Sequence, residues 1–325
     1  MAIKNWARAV AATVVMATAL AGCGVTGNPR GDSLRLMVPT APGGGYDVTA
    51  RTAAKAMEDS KIATNVQVFN LAGAGGTVGL QRLVNEKGTP GLAMMMGLGV
   101  VGAVYANKSE ATLAETTPLA RMIEESGAVF VSKDSPYQTL DQLVQAWKAN
   151  PGKVIVGGGS SIGGPDHLLT MQLAEAVGID PTVVNYLPYD SGGELLPALL
   201  GNKVVFGASG YTEFLDQIRA GQLRVLAVTS EKRVLILPDA LTANEQGVNL
   251  EFTNWRGFVA PPGISNSDRT TLLGVLDRLH RSDQWKQAIE RNGWTDAYLA
   301  GDGFATFLTE QDQRVADMLS KLGPS

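Results

Sequence analysis

A short apolar run, a glycine-rich turn and a helix-like stretch follow one another again and again along this chain. "LRLMVP" (34–39) passes through "TAPGGG" into a helix starting near Asp47, and "VQVFNL" (66–71) passes through "AGAGG" into "TVGLQRLVNEK". "LAMMMGLG" (92–99) reads as a third buried strand, its methionines as core. Strands alternating with helices in this way predict an α/β fold built on parallel sheets with right-handed crossovers. In such sheets the ligand sits at the carboxyl ends of the strands, where these turns lie.

The grammar then restarts. "TLDQLVQAWKANPGK" is an amphipathic helix with Thr139 as N-cap and Pro151-Gly152 as its stop. The strands "VIVGGGS", "VVNYLPY", "VVFGASG" and "LRVLAVTS" follow, interleaved with "GPDHLLTMQLAEAVG", "SGGELLPALLGN" and "YTEFLDQIRAG". "NWRGFVAPPG" and the helices after Asp268 return to the first unit. A chain of 325 residues, 45% hydrophobic and 18% charged, has enough material for two modest domains. The expected division is 34–126 plus 253–325 for a discontinuous domain 1 and 127–252 for domain 2, with a cleft between them. The formal net charge of −4, without a basic run, argues against a nucleic-acid partner.

Residues 1–22 carry Lys4 and Arg8, then an apolar stretch from Ala9 to Gly22, which is the pattern of an export signal too short to span a membrane. Its end, Leu20-Ala21-Gly22-Cys23, resembles the lipobox of bacterial lipoproteins. Cys23 is the one cysteine of the chain, so it has no internal disulfide partner, and acylation accounts for it. Residues 23–33, rich in glycine and polar side chains, read as a flexible tether. The chain is expected to be exported and lipid-anchored on the extracytoplasmic side of a bacterial membrane, in the periplasm or at the cell surface.

Bare backbone at a strand-to-helix turn lets N–H groups approach an anion, and the helix N-terminus behind it adds partial positive charge. The arrangement occurs twice in neighbouring units, at "APGGGYD" and "LAGAGGTVG", so two donor-rich loops converge. Asp47 lies in the first loop and would repel an anion unless it caps its own helix or pairs with Arg51. Thr77 in the second loop has a hydroxyl suited to donation or to capping. Arg256 in "NWRG" is the cation near the hinge, for a ligand or for a hinge salt bridge. His167 and His280, the two histidines, have no metal-ligand spacing, so no metal and no cofactor is expected.

Two enzymatic readings compete. Gly159-Ser160-Ser161-Ile162-Gly163 fits G-x-S-x-G, the nucleophile elbow of α/β hydrolases, with Ser161 as nucleophile. A triad then needs a downstream acid and histidine, and only His280, on a charged helical stretch, comes late enough. "GAGGTVG" departs from the G-x-G-x-x-G spacing of dinucleotide sites and is set aside.

From about residue 34 to 290 the chain resembles the solute receptors of tripartite tricarboxylate transporters, the Bug-type periplasmic receptors. The stretches that carry the resemblance are "RLMVPTAPGGGYDVTAR", "NLAGAGGTVG", "GSSIGGPDHL", "YDSGGELLPALLGNKV", "IRAGQLRVLAVTSEKR" and "NWRGFVAPPG", the last two pointing to the tricarboxylate branch. The resemblance implies a two-domain, periplasmic-binding-protein-like clamshell, not an enzyme. It would capture a small di- or tricarboxylate and deliver it, as a monomer, to membrane transporter subunits. Carried over by position, the ligand-binding residues are Gly44, Gly45, Tyr46 and Asp47 in the first loop and Ala74, Gly75, Gly76 and Thr77 in the second. Across the cleft they are Ser160, Ser161 and Gly163, then Ser191 and Gly192, then Ser209. Many relatives have an acidic residue where this chain has Ser209, and a neutral donor there suits a second carboxylate. Val205 replaces a common acidic residue and Leu241 a usual proline.

Overall fold

The computed structural model describes residues 33–322. The expected export signal, Cys23 and the tether up to residue 32 lie outside the described residues. In chain order the first elements are β1 (Ser33–Val38), α1 (Gly45–Asp59), β2 (Thr64–Asn70), α2 (Thr77–Asn85), β3 (Leu92–Gly97) and α3 (Leu98–Ala106). The long strand β4 (Thr117–Ser132) leads to α4 (Leu140–Ala149), β5 (Ile155–Gly158), α5 (Pro165–Ala176), β6 (Asn185–Pro188) and α6 (Gly192–Leu200). After these come β7 (Phe206–Gly210), α7 (Leu215–Arg219), β8 (Leu223–Val228) and β9 (Thr253–Ala260). The chain ends in α8 (Asn266–Arg281), α9 (Asp283–Asn292), β10 (Thr295–Ala300) and α10 (Asp302–Lys321).

Local chemistry explains several of these boundaries. The Thr139 hydroxyl accepts from the Gln142 N–H at 3.2 Å and starts α4, while Ser265 and Ser282 do the same for α8 and α9. Gly293, at φ 65°, stops α9 in the left-handed conformation that glycine adopts without a Cβ clash. α3 is apolar on every side, and Leu98, Val100, Val101, Ala103 and Val104 are all buried. A helix buried all round has no amphipathic period to announce it, so the sequence shows only the strand before it.

The sheet runs β2-β1-β3-β9-β4-β7-β5-β6, with β10 and β8 also paired to β4. The parallel pairings expected from sequence are those of β1 with β2 and β3, and of β5 with β6 and β7. Around β4 and β9 the pairing is antiparallel, so each half is a mixed sheet. β4 belongs to both halves. Its residues up to Ser126 pair with β9, Gly127 to Phe130 pair with β7, and Ala128 to Ser132 pair with β8 on the other edge. The core is continuous on either side, and its largest fully enclosed side chains include Trp147, Trp255, Trp285, Phe130 and Phe258. Each such side chain contributes roughly 1.5–3 kcal/mol by burial. Among the described residues no helix is long and apolar enough to cross a membrane.

Candidate functional site

The amino end of α1, the carboxyl end of β3 and the middle of β4 and β9 meet at one cleft. Gly43, Gly45, Val48, Glu125, Thr212, Glu213, Arg256 and the α9 end from Arg291 to Trp294 line it. At its floor Arg256 pairs with Glu125, Nη2 to Oε2 at 3.0 Å, with 5% and 3% of the two residues exposed. Strand register explains the pair. Asn254 lies opposite Glu125 in the β4–β9 ladder, and Arg256 is two residues on, hence on the same face. The other arm of the guanidinium, Nη1, donates to the Thr49 hydroxyl at 3.1 Å, which donates to the Gly45 carbonyl at 2.8 Å. A Cβ on Gly45 would lie 2.5 Å from Arg256 Nη2, so the guanidinium rests on bare backbone at the start of α1. Arg256 Nε is buried and has no partner among the described residues.

The first glycine loop is held by Asp47. Its carboxylate accepts from the Gly43 N–H at 2.9 Å, from Arg51 Nε at 2.9 Å and from Asn70 Nδ2 at 2.8 Å. Burial raises its pKa, but the hydrogen bonds from Arg51, Gly43 and Asn70 outweigh burial and hold it below the ordinary carboxylate value. That bonding joins the loop to α1 through Arg51 and to the end of β2 through Asn70, so Asp47 serves to shape the loop. Tyr46 is buried against the β3–α3 turn, where its hydroxyl accepts from the Val100 N–H at 3.4 Å. Enclosure pushes its phenol up to about 12, against the opposing pull of Arg256. Gly44 is exposed at φ −76°, and a Cβ there would meet nothing closer than 3.7 Å.

The second loop is more left-handed than the first, where Gly43 alone has a positive φ. Gly73, Ala74, Gly75 and Gly76 all have positive φ, and a Cβ on Gly75 would lie 2.7 Å from the Ala103 Cβ of α3. The bare face of Gly75 therefore packs on α3. The Ala74 carbonyl accepts from Asn107 Nδ2 and from the Thr77 hydroxyl, each at 3.0 Å, so Thr77 caps its own turn.

Across the cleft, the Ser160 hydroxyl accepts from the Asp166 N–H at 3.0 Å and the Ser160 carbonyl accepts from the Tyr186 hydroxyl at 2.7 Å. Gly163, at φ 84°, is pressed against α3, since a Cβ on Gly102 would fall 1.7 Å from the Gly163 carbonyl oxygen. Its N–H donates to His167 Nδ1 at 3.2 Å, and burial depresses the His167 pKa to about 4. Ser191 is exposed at the start of α6, and the Gly192 N–H donates to Glu213 Oε2 at 3.2 Å. Ser209 is buried on β7 beside Asp166. Burial raises Asp166 to about 7, with Glu213 and Glu125 adding repulsion against the hydrogen bonds of Ser209 and the Gly159 N–H. Val205 is half-buried with its N–H on the Ile155 carbonyl, and Leu241 is exposed.

The structure thus brings Gly45 to the cleft floor and groups Ser160, Ser209 and Gly192 around a carboxylate set of Asp166, Glu213 and Glu125. Ser209 and Thr77 are turned to partners inside the protein. Sequence reading missed all three carboxylates. Glu125 carried a signal, an acid inside the apolar run "ARMIEESGAVF", while Glu213 and Asp166 look like ordinary residues of helix starts. Ser161, the candidate nucleophile, lies in the turn before α5. Its backbone is not left-handed, and no hydrogen bond joins its hydroxyl to a histidine among the described residues. His280 instead bonds Asp296 at 2.9 Å and stacks on Tyr298.

Comparison with known proteins supports this architecture. A family profile described as the tripartite tricarboxylate transporter family receptor matches residues 49–323. Protein BugT of Bordetella pertussis is 27% identical over 297 residues, covering 89% of each chain. MatC of Rhodopseudomonas palustris with bound malate has the same fold, with a TM-score of 0.76 at 21% identity over 88% of this chain and 98% of that one. An R. palustris protein with adipate gives 0.77 at 20% identity over 90% and 97%.

Proposed function

Because the chain belongs to the tripartite tricarboxylate transporter receptor family, we propose that it captures a small di- or tricarboxylate by closing two lobes on it. The lobes are 34–126 with 253–325, and 127–252, and they bend about β4 and β9. The observation that carries this reading is Arg256, a guanidinium held against the bare backbone of Gly45 at a helix N-terminus, inside the cleft. Its charge is shared with Glu125, but its Nε donor has no partner among the described residues, and with the helix N-terminus this favours an anion there. Relatives of this fold with malate and adipate support the ligand class. The glycine loops at Gly44–Asp47 and Ala74–Thr77 supply backbone donors from one lobe. The turns at Ser160–Gly163 and Ser191–Gly192, with Ser209, form the opposing wall.

No chemistry on the ligand is part of this reading. The receptor hands its ligand to membrane subunits of a tripartite transporter, and acylated Cys23 tethers it outside the cytoplasm. Intact mass of the membrane-extracted protein checks the anchor. A diacyl or triacyl mass on a chain beginning at Cys23 is expected, and an unmodified cysteine refutes it. A thermal-shift panel of succinate, malate, adipate and citrate tests the receptor reading. At least one should raise Tm with its concentration, as selective binding to the folded state requires. A folded protein indifferent to all four overturns it.

A further inference from the structure

The cleft sets two carboxylates, Glu125 and Glu213, against the guanidiniums of Arg256 and Arg291, with Asp166 behind them. Arg256 is already paired with Glu125, which also accepts from the Thr212 hydroxyl. Glu213 lines the same cleft and is open to it, and among the described residues no basic side chain is bonded to its carboxylate. Its bonded neighbour is the Gly192 N–H at 3.2 Å. Asp166 stands behind it, bonded to the Gly159 N–H at 2.6 Å, with neutral His167 next in the chain. The groups facing Glu213 are therefore Glu125 from β4, Asp166 from α5, Arg256 from β9 and, on the opposite wall, Arg291 from α9. These carboxylates do not form a group of three able to hold a metal ion. A separate observation marks the cleft as unfinished, since Arg256, 5% exposed, leaves its Nε donor without a partner among the described residues.

A ligand carboxylate entering here meets Glu213 at close range. Two carboxylate groups at hydrogen-bonding distance do not both stay ionised, and sharing one proton turns the repulsion into a short, strong O–H···O⁻ bond. We propose that Glu213 is a ligand-binding residue that works as the neutral acid, donating its O–H to one carboxylate of the bound ligand. This rests on the carboxylate reading above. Each capture then takes one proton from solvent onto the Glu213 carboxylate, and release returns it. Enclosure by protein and the Glu125 charge already push the Glu213 pKa up, with Arg256 and the Gly192 N–H opposing. An anionic ligand beside it pushes further in the same direction.

Titration calorimetry with malate, succinate and citrate, run at pH 8 in buffers of different ionisation enthalpy, tests this. Ligand carboxyls are ionised at that pH. Proton uptake approaching one per bound ligand is expected, and Kd should weaken by about tenfold per pH unit above the Glu213 pKa of the free protein. Glu213→Gln keeps a hydrogen-bond donor of the same shape. It should bind with proton uptake lost and a flat pH profile. Wild-type enthalpy independent of buffer overturns the proposal, as does Glu213→Gln with undiminished uptake. Aspartate binding more tightly than succinate without proton uptake would mean that Glu213 acts as the anion, and also overturns it. Failure of every carboxylate to bind brings down the receptor reading itself, and this proposal with it.

Discussion

Arg256 and Glu125 stabilise each other only as a pair. Both are enclosed, and removing one leaves the other as an uncompensated buried charge, which costs about 3–5 kcal/mol. Arg256→Met should lower stability by about that amount in a denaturant titration. Adding Glu125→Gln should recover much of the loss, because the double variant buries no lone charge. Equal destabilisation in the single and double variants would show that packing, not charge, accounts for the effect. Glycines in the two loops differ at the same scale. Gly44 has room and an ordinary φ for a side chain, whereas Gly75 needs both its left-handed backbone and its contact with Ala103. Two turns that look alike in sequence therefore differ in what their missing side chains accomplish. One leaves backbone open to the cleft, the other lets a helix approach.

At the scale of elements, the start of α5 carries two groups shifted in opposite directions. Asp166 rises from 3.8 to about 7, so between those values the folded state holds more protons than the unfolded one, and stability falls as pH rises through the window. His167 falls from 6.5 to about 4, so the unfolded state holds more protons there, and stability falls as pH drops through that range. Asp166→Asn keeps an oxygen for the Gly159 N–H and removes the first dependence. Its melting temperature should exceed that of the wild type by a few degrees at pH 8 and by less at pH 5. A difference that does not change with pH would contradict an elevated Asp166. The element least visible in sequence is α3, yet it touches the second glycine loop through Ala103 and the turn before α5 through Gly102.

At the scale of the whole molecule, β4 runs unbroken from its pairing with β9 to its pairing with β7 and β8, and contacts flank the cleft. On one side Gly102 meets Gly163. On the other the Tyr211 hydroxyl donates to the Gly293 carbonyl at 2.9 Å, while Lys321 of α10 reaches Glu175 of α5 at 3.0 Å, both helices packing on α3. At Gly102 two backbones meet with nothing between them. Gly102→Ala puts a methyl group 1.7 Å from the Gly163 oxygen, while in the helix itself alanine is favoured by about 1 kcal/mol. The variant should be folded, open on average with a larger radius of gyration in X-ray scattering, and at least tenfold weaker for malate or whichever panel member binds. Unchanged scattering and affinity would show that closure does not use this contact.

The sequence by itself determined the alternation of strands and helices, the capped start of α4 at Thr139 and the placing of glycine turns at strand ends. These are local properties: apolar runs, caps and turns are written within a few neighbouring residues. It also carried the family resemblance, since motif order along the chain survives without knowledge of contacts. What surrounds the ligand space was decided only by the tertiary structure. Glu125 meets Arg256 across 131 positions, and the carboxylates of Asp166 and Glu213 approach each other from different helices. Whether a charge is enclosed, paired or left alone depends on the groups that folding gathers around it, and those lie far apart in the chain. Thr77 and Ser209 show the same limit from the other side. Their hydroxyls suit a ligand on paper, and folding turns both toward the protein's own carbonyl and carboxyl groups.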